Sequence, residues 1–287
     1  MATLNDNGKA CGNFADLHVH TNYSDGTFSP EKVVETALGL GLKVIAITDH
    51  DCVEGVTPSI EAASGKDLEV IPGIEISAAI GDKEIHVLGY FIDWHEPSLV
   101  NKLEVMKENR KNRMVRMVEL LQGEGLDIDK EEVFSTVAEG TIGRPHIAHV
   151  LKAKGLVHTI QEAFNRYLAD GRSCFVKHVR LEYYEAIEMI LKSGGVPVIG
   201  HPGISNIEEY MPDIISAGIK GIEVFHADHA ASDSDRYLRM AQENSLIVTG
   251  GSDCHGSKKG KVLMGSVSVG PDVVEALRAE SAKIRGA

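Results

Sequence analysis

Asp16-Leu17-His18-Val19-His20-Thr21, followed by Ser24-Asp25-Gly26, places two imidazoles at i and i+2 in a run that alternates apolar and polar residues. On a β-strand, residues two apart face the same side, so His18 and His20 can grip one ion at the strand's carboxyl end. The turn that follows, with Asn22, Ser24 and Gly26, swings Asp25 back over that end toward a neighbouring ion. A strand ending in a metal site points first to hydrolytic chemistry. An isolated His-x-His pair, however, is usually two ordinary polar residues on a half-exposed strand, so the rest of the chain has to decide.

Outward from this run the chain keeps a rhythm. Short apolar stretches predict further strands at Lys43–Thr48, Leu68–Ser77, Ile85–Phe91, Val196–His201, Gly221–His226 and Leu246–Gly250, which with Ala15–His20 make seven. Helical patterns lie between most of them. Ser29-Pro30-Glu31 reads as an N-cap with proline at the first helical position, and Val33, Val34, Ala37 and Leu38 form the apolar face. Glu182–Leu191 and Asp233–Glu243 give similar patterns. Strands alternating with helices predict a parallel α/β sheet. The third and fourth strands are joined only by a short link around Gly81-Asp82, too short for a helical crossover, and predict an antiparallel hairpin. The expected fold is therefore α/β, a distorted (β/α)7 barrel.

From residue 96 to 180 the strand rhythm stops. Val100–Gln122 reads as a long amphipathic helix, with shorter ones at Asp129–Ala138, Arg144–Lys154 and Thr159–Ala169. The predicted organisation is a polar tail at 1–13, a barrel from 14–95 and 181–287, and an all-helical insertion at 96–180, expected to serve as a lid or specificity wall.

Bulk properties narrow the classes. A chain of 287 residues with 43% apolar and 25% charged residues can bury a barrel-sized core. A formal charge of −13 disfavours coating of duplex nucleic acid, which needs a basic surface. It does not exclude small phosphates where metal ions supply positive charge. Cys11, Cys52, Cys174 and Cys254 show no paired spacing, which fits a reducing cytoplasm, and neither a secretory leader nor a membrane-length apolar run is expected.

The strand ends carry the chemistry. The second strand ends Thr48-Asp49-His50-Asp51, the third carries Gly73-Ile74-Glu75, and the fourth carries His86. The fifth ends Gly200-His201-Pro202, the sixth Val224-Phe225-His226, and the seventh runs into Ser252-Asp253-Cys254-His255. In (β/α) barrels the carboxyl ends are where catalytic groups converge. One strand-terminal histidine is ordinarily structural; so many in one pattern predict a metal centre.

At these residues the chain resembles the polymerase and histidinol phosphatase (PHP) superfamily of metal-dependent phosphoesterases, through His18-Val19-His20 with Asp25, Thr48-Asp49-His50, Pro72-Gly73-Ile74-Glu75, His86, Gly200-His201-Pro202 and Ser252-Asp253-Cys254-His255. The resemblance implies a distorted (β/α)7 barrel holding two or three divalent ions, manganese first, with iron or zinc as alternatives. Asp25 stands where histidinol phosphatases and polymerase-associated members often place a third histidine. That, with Thr141-Ile142-Gly143-Arg144-Pro145-His146 in the insertion, looks like the branch acting on nucleotides and related small phosphates.

Within that resemblance, His18, His20, Glu75 and Asp253 are expected to hold one ion, Glu75, His86 and His201 a second, and Asp25, His50 and His255 a third, with Glu75 bridging. Cys254 is expected to pack away from the ions, and Asp49 and Asp51 to orient His50. The expected reaction is attack of a metal-bridging hydroxide on phosphorus. Asp253 and His226 are the expected catalytic groups, His226 protonating the leaving oxygen; Arg144, His226, His229 and Lys177 are expected to bind substrate. Arg180 and Lys258-Lys259 would add a basic rim, whereas Arg110, Lys111, Arg113 and Arg116 read as a solvated helix face.

The expected substrate is a small phosphate, first a nucleoside 3′,5′-bisphosphate losing its 3′-phosphate, with trimming of short 5′-phosphorylated RNA as an extension. A five-membered cyclic phosphate opened and then dephosphorylated is the alternative, histidinol phosphate a weaker third. A metal-binding regulatory module without turnover would require a degraded ligand set, and no candidate position here is lost to Ala, Asn or Gln.

Overall fold

The computed structural model describes residues 14–136, 142–177, 181–258 and 260–286. Two compact units divide the chain, one built on residues up to Asn101 and from residue 180 onward, the other on Lys102–Val179.

The first unit holds β1 (Ala15–Val19), β2 (Val44–Ile47), β3 (Glu69–Ile80), β4 (Lys83–Tyr90), β5 (Leu181–Glu182), β6 (Val196–Gly200), β7 (Gly221–His226) and β8 (Ile247–Gly251). Seven strands follow the order β1-β2-β3-β4-β6-β7-β8, and the two-residue β5, which the sequence pattern does not predict, pairs with β3 off that path. A parallel bridge between Val19 and Cys254 brings the segment after β8 back to β1, so the sheet nearly closes into a barrel. Only glycine fits at position 251, where a Cβ would collide with the Cβ of His18.

β1, β2 and β3 run parallel, as do β6, β7 and β8, while β4 is antiparallel to both β3 and β6. One reversed strand is thus the distortion. The hairpin is tighter than its apolar runs imply: β3 and β4 extend until only Gly81-Asp82 joins them, with Gly81 at φ +61°.

The barrel's helices are α1 (Pro30–Gly39) and α2 (Val56–Ala63), then α7 (Tyr183–Lys192), α8 (Pro202–Ser205), α9 (Met211–Ser216), α10 (Ala231–Glu243) and α11 (Pro271–Gly286), with α3 to α6 between. Local sequence sets α1: the Ser29 hydroxyl accepts from the Lys32 N–H, Pro30 opens the first turn, and Val33, Val34 and Ala37 face inward. They join Val19, Ile45, Ile47 and Cys254 in one apolar cluster, so Cys254 does pack in the core. Another cluster sets Leu17, Ala46, Ile71 and Val198 against Val274 and Leu277 of α11. Alternation along β1 therefore sends Leu17 and Val19 into apolar layers and leaves Asp16, His18 and His20 on the other face.

The second unit is helical. α3 (Pro97–Gly123) leads into it, followed by α4 (Lys130–Phe134), α5 (Arg144–Ala153) and α6 (Ile160–Ala163), which continues as a π-helical turn over Phe164–Leu168. Asp129 and Thr159 cap α4 and α6. Its core joins Met117, Leu121, Ile147, Leu151 and Leu168, all fully buried. Among the described residues no helix is long and apolar enough to cross a membrane.

Candidate metal centre

Strand register, rather than sequence proximity, assembles the site. His50 bridges to Glu75 beyond the end of β2, and His86 lies opposite Gly200, next to His201. The Val19–Cys254 bridge sets His18 and His20 beside Asp253 and His255. Backbone strain gathers here: Asp51, His201 and Asp253 all have positive φ, His201 at +26°.

Glu75 is the hub, and it is fully buried. Its Oε2 lies 3.1 Å from His18 Nε2, 3.2 Å from His20 Nε2 and 3.1 Å from His50 Nδ1. Its Oε1 lies 2.6 Å from His86 Nδ1 and 2.9 Å from His201 Nε2. One carboxylate thus offers separate oxygens to two groups of imidazoles. Asp253 Oδ1 stands 3.2 Å from His20 Nε2 and 3.6 Å from His18 Nε2. On the far side Asp25 Oδ1 is 3.0 Å from His255 Nε2 and 3.9 Å from His50 Nε2. Among the described residues, donor atoms close enough to share an ion occur in four sets: His20, Asp25, His50 and His255; His18, His226 and Asp253; His18, Glu75 and His201; His50, Glu75 and His86. All nine strand-end residues expected from the sequence fall within them; His226 is the addition.

Hydrogen bonds on the outer nitrogens decide what each imidazole presents inward. A carboxylate or carbonyl oxygen only accepts, so a ring nitrogen bonded to one must carry the proton. His18 Nδ1 faces Glu223 Oε1 at 2.9 Å and His255 Nδ1 faces the Asp253 carbonyl at 2.9 Å, so both Nδ1 atoms donate outward. Each Nε2, now facing Glu75 Oε2 at 3.1 Å in His18 and Asp25 Oδ1 at 3.0 Å in His255, is the nitrogen that would turn to an ion once its proton is given up. His226 is the opposite case. Its Nδ1 accepts the Asp228 N–H at 3.1 Å, so the neutral ring carries its proton on Nε2, 3.7 Å from Asp253 Oδ2. In that tautomer the ring presents an N–H rather than a lone pair to Asp253, despite the proximity that groups His226 with His18 and Asp253.

The charges are strongly coupled. Burial works against the Glu75 carboxylate, but His50, His86 and His18 around it hold it well below the usual carboxylate range. Burial likewise opposes charging of His20 and His86, yet facing carboxylates raise them to about 9 and about 10. His50 goes the other way, pushed down to about 3 by burial. Asp25 and Asp253 are held below their ordinary range by adjacent imidazoles against the cost of burial. Protons here do what a divalent cation does, neutralising carboxylates among buried imidazoles.

The residues fit divalent ions by a separate test. His20 Nε2 and Asp25 Oδ1 are buried with charged groups 3.0–3.2 Å away but no well-aligned hydrogen bond, an arrangement that suits a cation shared between such atoms better than a hydrogen-bond network. Imidazole and carboxylate donors without thiolate suit manganese, iron or zinc.

Two expectations need correction, those for Asp49 and His229. Asp49 does not orient His50: its Oδ1 accepts the Thr21 N–H at 2.7 Å and the Ser24 hydroxyl at 2.5 Å, and its Oδ2 the Thr21 hydroxyl at 2.6 Å. It holds the turn after β1 instead. Asp51 Oδ1 accepts the Ser77 N–H at 2.7 Å. His229 has no ring nitrogen to offer a substrate, because Nδ1 donates to the Val224 carbonyl and Nε2 accepts from Gly203 N–H. In the helical unit Arg144 Nη1 pairs with Asp170 and donates to the Leu168 carbonyl, its guanidinium lying over the Phe164 and Phe175 rings, and Lys177 is exposed. Lys258 binds Asp25 Oδ2 at 2.6 Å. Thr141, Arg180 and Lys259 lie outside the described residues.

Sequence reasoning gave no role to Glu223 or Asp16, both fully buried. Asp16 takes the Ser252 N–H and hydroxyl and the Gly265 N–H, which seats the loop carrying Asp253. The available signal was an acid inside an otherwise apolar strand, Gly221–His226 for Glu223.

A near-closed barrel whose strand ends converge on buried imidazoles and carboxylates is that of a metal-dependent phosphoesterase, a hydrolase of phosphate esters. The chain belongs to the PHP domain family, whose profile matches residues 16–203. It is 31% identical over 252 residues to a 3′,5′-nucleoside bisphosphate phosphatase of Chromobacterium violaceum, covering 85% of this chain and 88% of that one. A 5′-3′ exoribonuclease of Haemophilus influenzae is 32% identical (84% and 89% covered), and a phosphoribosyl 1,2-cyclic phosphate 1,2-diphosphodiesterase of Eggerthella lenta 30% (86% and 95%). Among solved structures, a Bifidobacterium adolescentis protein assigned to the metal-dependent phosphoesterases superposes with a TM-score of 0.82 at 32% identity, covering 94% of this chain and 96% of that one.

Proposed function

We propose that this enzyme removes the 3′-phosphate from nucleoside 3′,5′-bisphosphates, with short 5′-phosphorylated RNA as an extended substrate, at a centre of three divalent ions, manganese first. The observation that carries the reading is Glu75, whose two carboxylate oxygens are divided among five imidazoles. His18, His20 and Asp253 would share an ion with Glu75; His86 and His201 would share a second; Asp25, His50 and His255, with His20 adjacent, would hold a third. Ions held there would supply Lewis acidity, clamp phosphoryl oxygens and make bound water nucleophilic near neutral pH.

The chain's own contribution is position and protons. With ions bound, His18 and His255 would offer Nε2 to them, because their Nδ1 atoms donate outward. His226 holds a proton on Nε2 and gives it to the leaving oxygen. Arg144 and Lys177 are assigned to the substrate's second phosphate. Three buried cysteines among the described residues, Cys52, Cys174 and Cys254, stand outside any disulfide, which supports a cytoplasmic location.

A substrate panel with manganese tests this. Release of phosphate from adenosine 3′,5′-bisphosphate, faster than from histidinol phosphate or ribose cyclic phosphates, is the expected result. Turnover of cyclic phosphates with inertness toward the bisphosphate overturns it in favour of the cyclic-phosphate activity.

A further inference from the structure

Glu223 has no place among the nine candidate ligands, yet it is a carboxylate with no exposure to water, three residues before His226 on β7. A buried charge of that kind is tolerated only where its oxygens are fully engaged. Glu223 Oε1 receives the His18 Nδ1 proton at 2.9 Å, and Oε2 receives the His201 backbone N–H at 2.8 Å. The two partners belong to different strands, β1 and the end of β6, and their imidazoles stand on opposite oxygens of Glu75. His201 is also one of the residues at the centre whose backbone is strained, at φ +26° and ψ +55°.

We propose that Glu223 is the positioning residue of the metal centre, fixing the ligand tautomer of His18 with one oxygen and the strained backbone of His201 with the other. This inference rests on the reading that the centre holds divalent ions. The chemistry is specific to a carboxylate. A glutamine at 223 has one acceptor and one donor group where two acceptors are needed. If its oxygen faces His18, its amide group meets the His201 N–H; if reversed, the amide donates to His18 Nδ1 and drives the proton to Nε2, which removes the inward lone pair. Either way one function is lost while side-chain volume is kept.

The test is manganese binding by equilibrium dialysis and metal analysis on chelator-stripped wild type, Glu223→Gln, Glu223→Asp and Val224→Ala, with a melting curve for each. Wild type binding no ions would sink the metal reading itself, separately from this inference. Given binding by wild type, Glu223→Gln should weaken manganese affinity by about 10- to 100-fold, as loss of an outer partner of a ligand histidine does. Glu223→Asp should recover part of that loss. Val224→Ala, which trims the neighbouring core residue, should lower the melting temperature and leave affinity within about threefold. Long-range ¹H–¹⁵N spectra of zinc-loaded, histidine-labelled protein should show His18 protonated at Nδ1 in wild type, with the signal of His18 Nδ1 or of the His201 backbone amide altered in Glu223→Gln. Affinity within about threefold of wild type in Glu223→Gln, or unchanged signals at both His18 and the His201 amide, overturns the proposal. If Glu223→Gln fails to fold, the Asp variant carries the decision: unaltered affinity and spectrum there overturn it equally.

Discussion

The barrel unit and the helical unit bury different things. Every buried polar or charged side chain among the described residues, from Asp16 to Ser281, belongs to the barrel unit; the core of the helical unit is made of Met, Leu, Ile, Val, Ala, Tyr and Cys alone. An apolar core is held by area removed from water and by packing. The barrel core instead keeps Glu75, Glu223, Asp16, Asp49, His18 and His20 away from solvent, a cost met only where each has a partner. In one unit burial serves packing alone, while in the other the same residues that hold the strands together also converge on the candidate centre.

The sharpest way to break this contrast is Glu75→Gln. It keeps volume but removes the charge on which five imidazoles converge. Turnover under saturating manganese should fall by roughly a thousandfold or more, the scale for losing a group that acts as part of a catalytic unit. Bound metal per chain should fall with it. A variant that keeps full metal content and turnover would show that Glu75 is only a structural acid.

The matching perturbation in the other unit is Leu151→Ala. Leu151 is fully buried among Leu121, Ile147 and Leu168. Truncation should cost about 2–5 kcal/mol by urea denaturation, with turnover per folded molecule nearly unchanged. If turnover falls as steeply as after Glu75→Gln, the division of labour between the units is wrong.

What the sequence made legible follows the same division. Strand positions and their terminal histidines could be read because alternation and apolar runs are local signals, and Gly221–His226 emerges with the predicted limits. Roles of individual polar residues depend on partners far along the chain. His18 and Glu223 are 205 residues apart, and nothing near Glu223 announces which strand it faces. Asp49 sits beside His50 in sequence, but its partners Thr21 and Ser24 come from the turn after β1. His229 looks like a free histidine until the Val224 carbonyl and Gly203 N–H are placed on its two nitrogens. Extension of β3 and β4 down to Gly81-Asp82 was hidden because β-pairing with neighbours, rather than apolar pattern, prolongs them.

The charge pattern yields a pH prediction for protein stripped of metal. His20 and His86 have folded values of about 9 and about 10 against an ordinary 6.5, so their stabilisation is complete below pH 6.5 and is lost as pH climbs through those values. His50, at about 3, has the opposite sign and destabilises as pH falls from 6.5 toward 3. The melting temperature of chelated protein should therefore peak near pH 6.5 and decline toward pH 10. Manganese should act oppositely, because ligand imidazoles bind ions only when deprotonated. At free ion 100 times its dissociation constant each site adds about 2.7 kcal/mol. The gap in melting temperature between loaded and stripped protein should widen from pH 6.5 to pH 9; a constant gap would mean that these histidines do not exchange protons for ions.

The smallest expected effect sharpens the comparison most, because Arg144 is the one residue given roles on both sides of it. Within the helical unit its guanidinium pairs with Asp170 Oδ1 at 2.9 Å, donates to the Leu168 carbonyl at 3.2 Å and lies 5.5 Å from the Phe175 ring centroid. Those contacts suffice for a brace, yet a guanidinium with five donors uses few of them on Asp170 and Leu168. If Arg144 reads the second phosphate, Arg144→Ala should raise KM for adenosine 3′,5′-bisphosphate by about tenfold, some 1.4 kcal/mol, with kcat and the KM for a monophosphate ester nearly unchanged. Asp170→Ala separates the two roles: it removes the brace but leaves the cation, so it should lower the melting temperature without raising that KM. Equal rises in KM after both substitutions would make Arg144 a brace alone, and the helical unit would then be a stabilising element with no part in choosing the substrate.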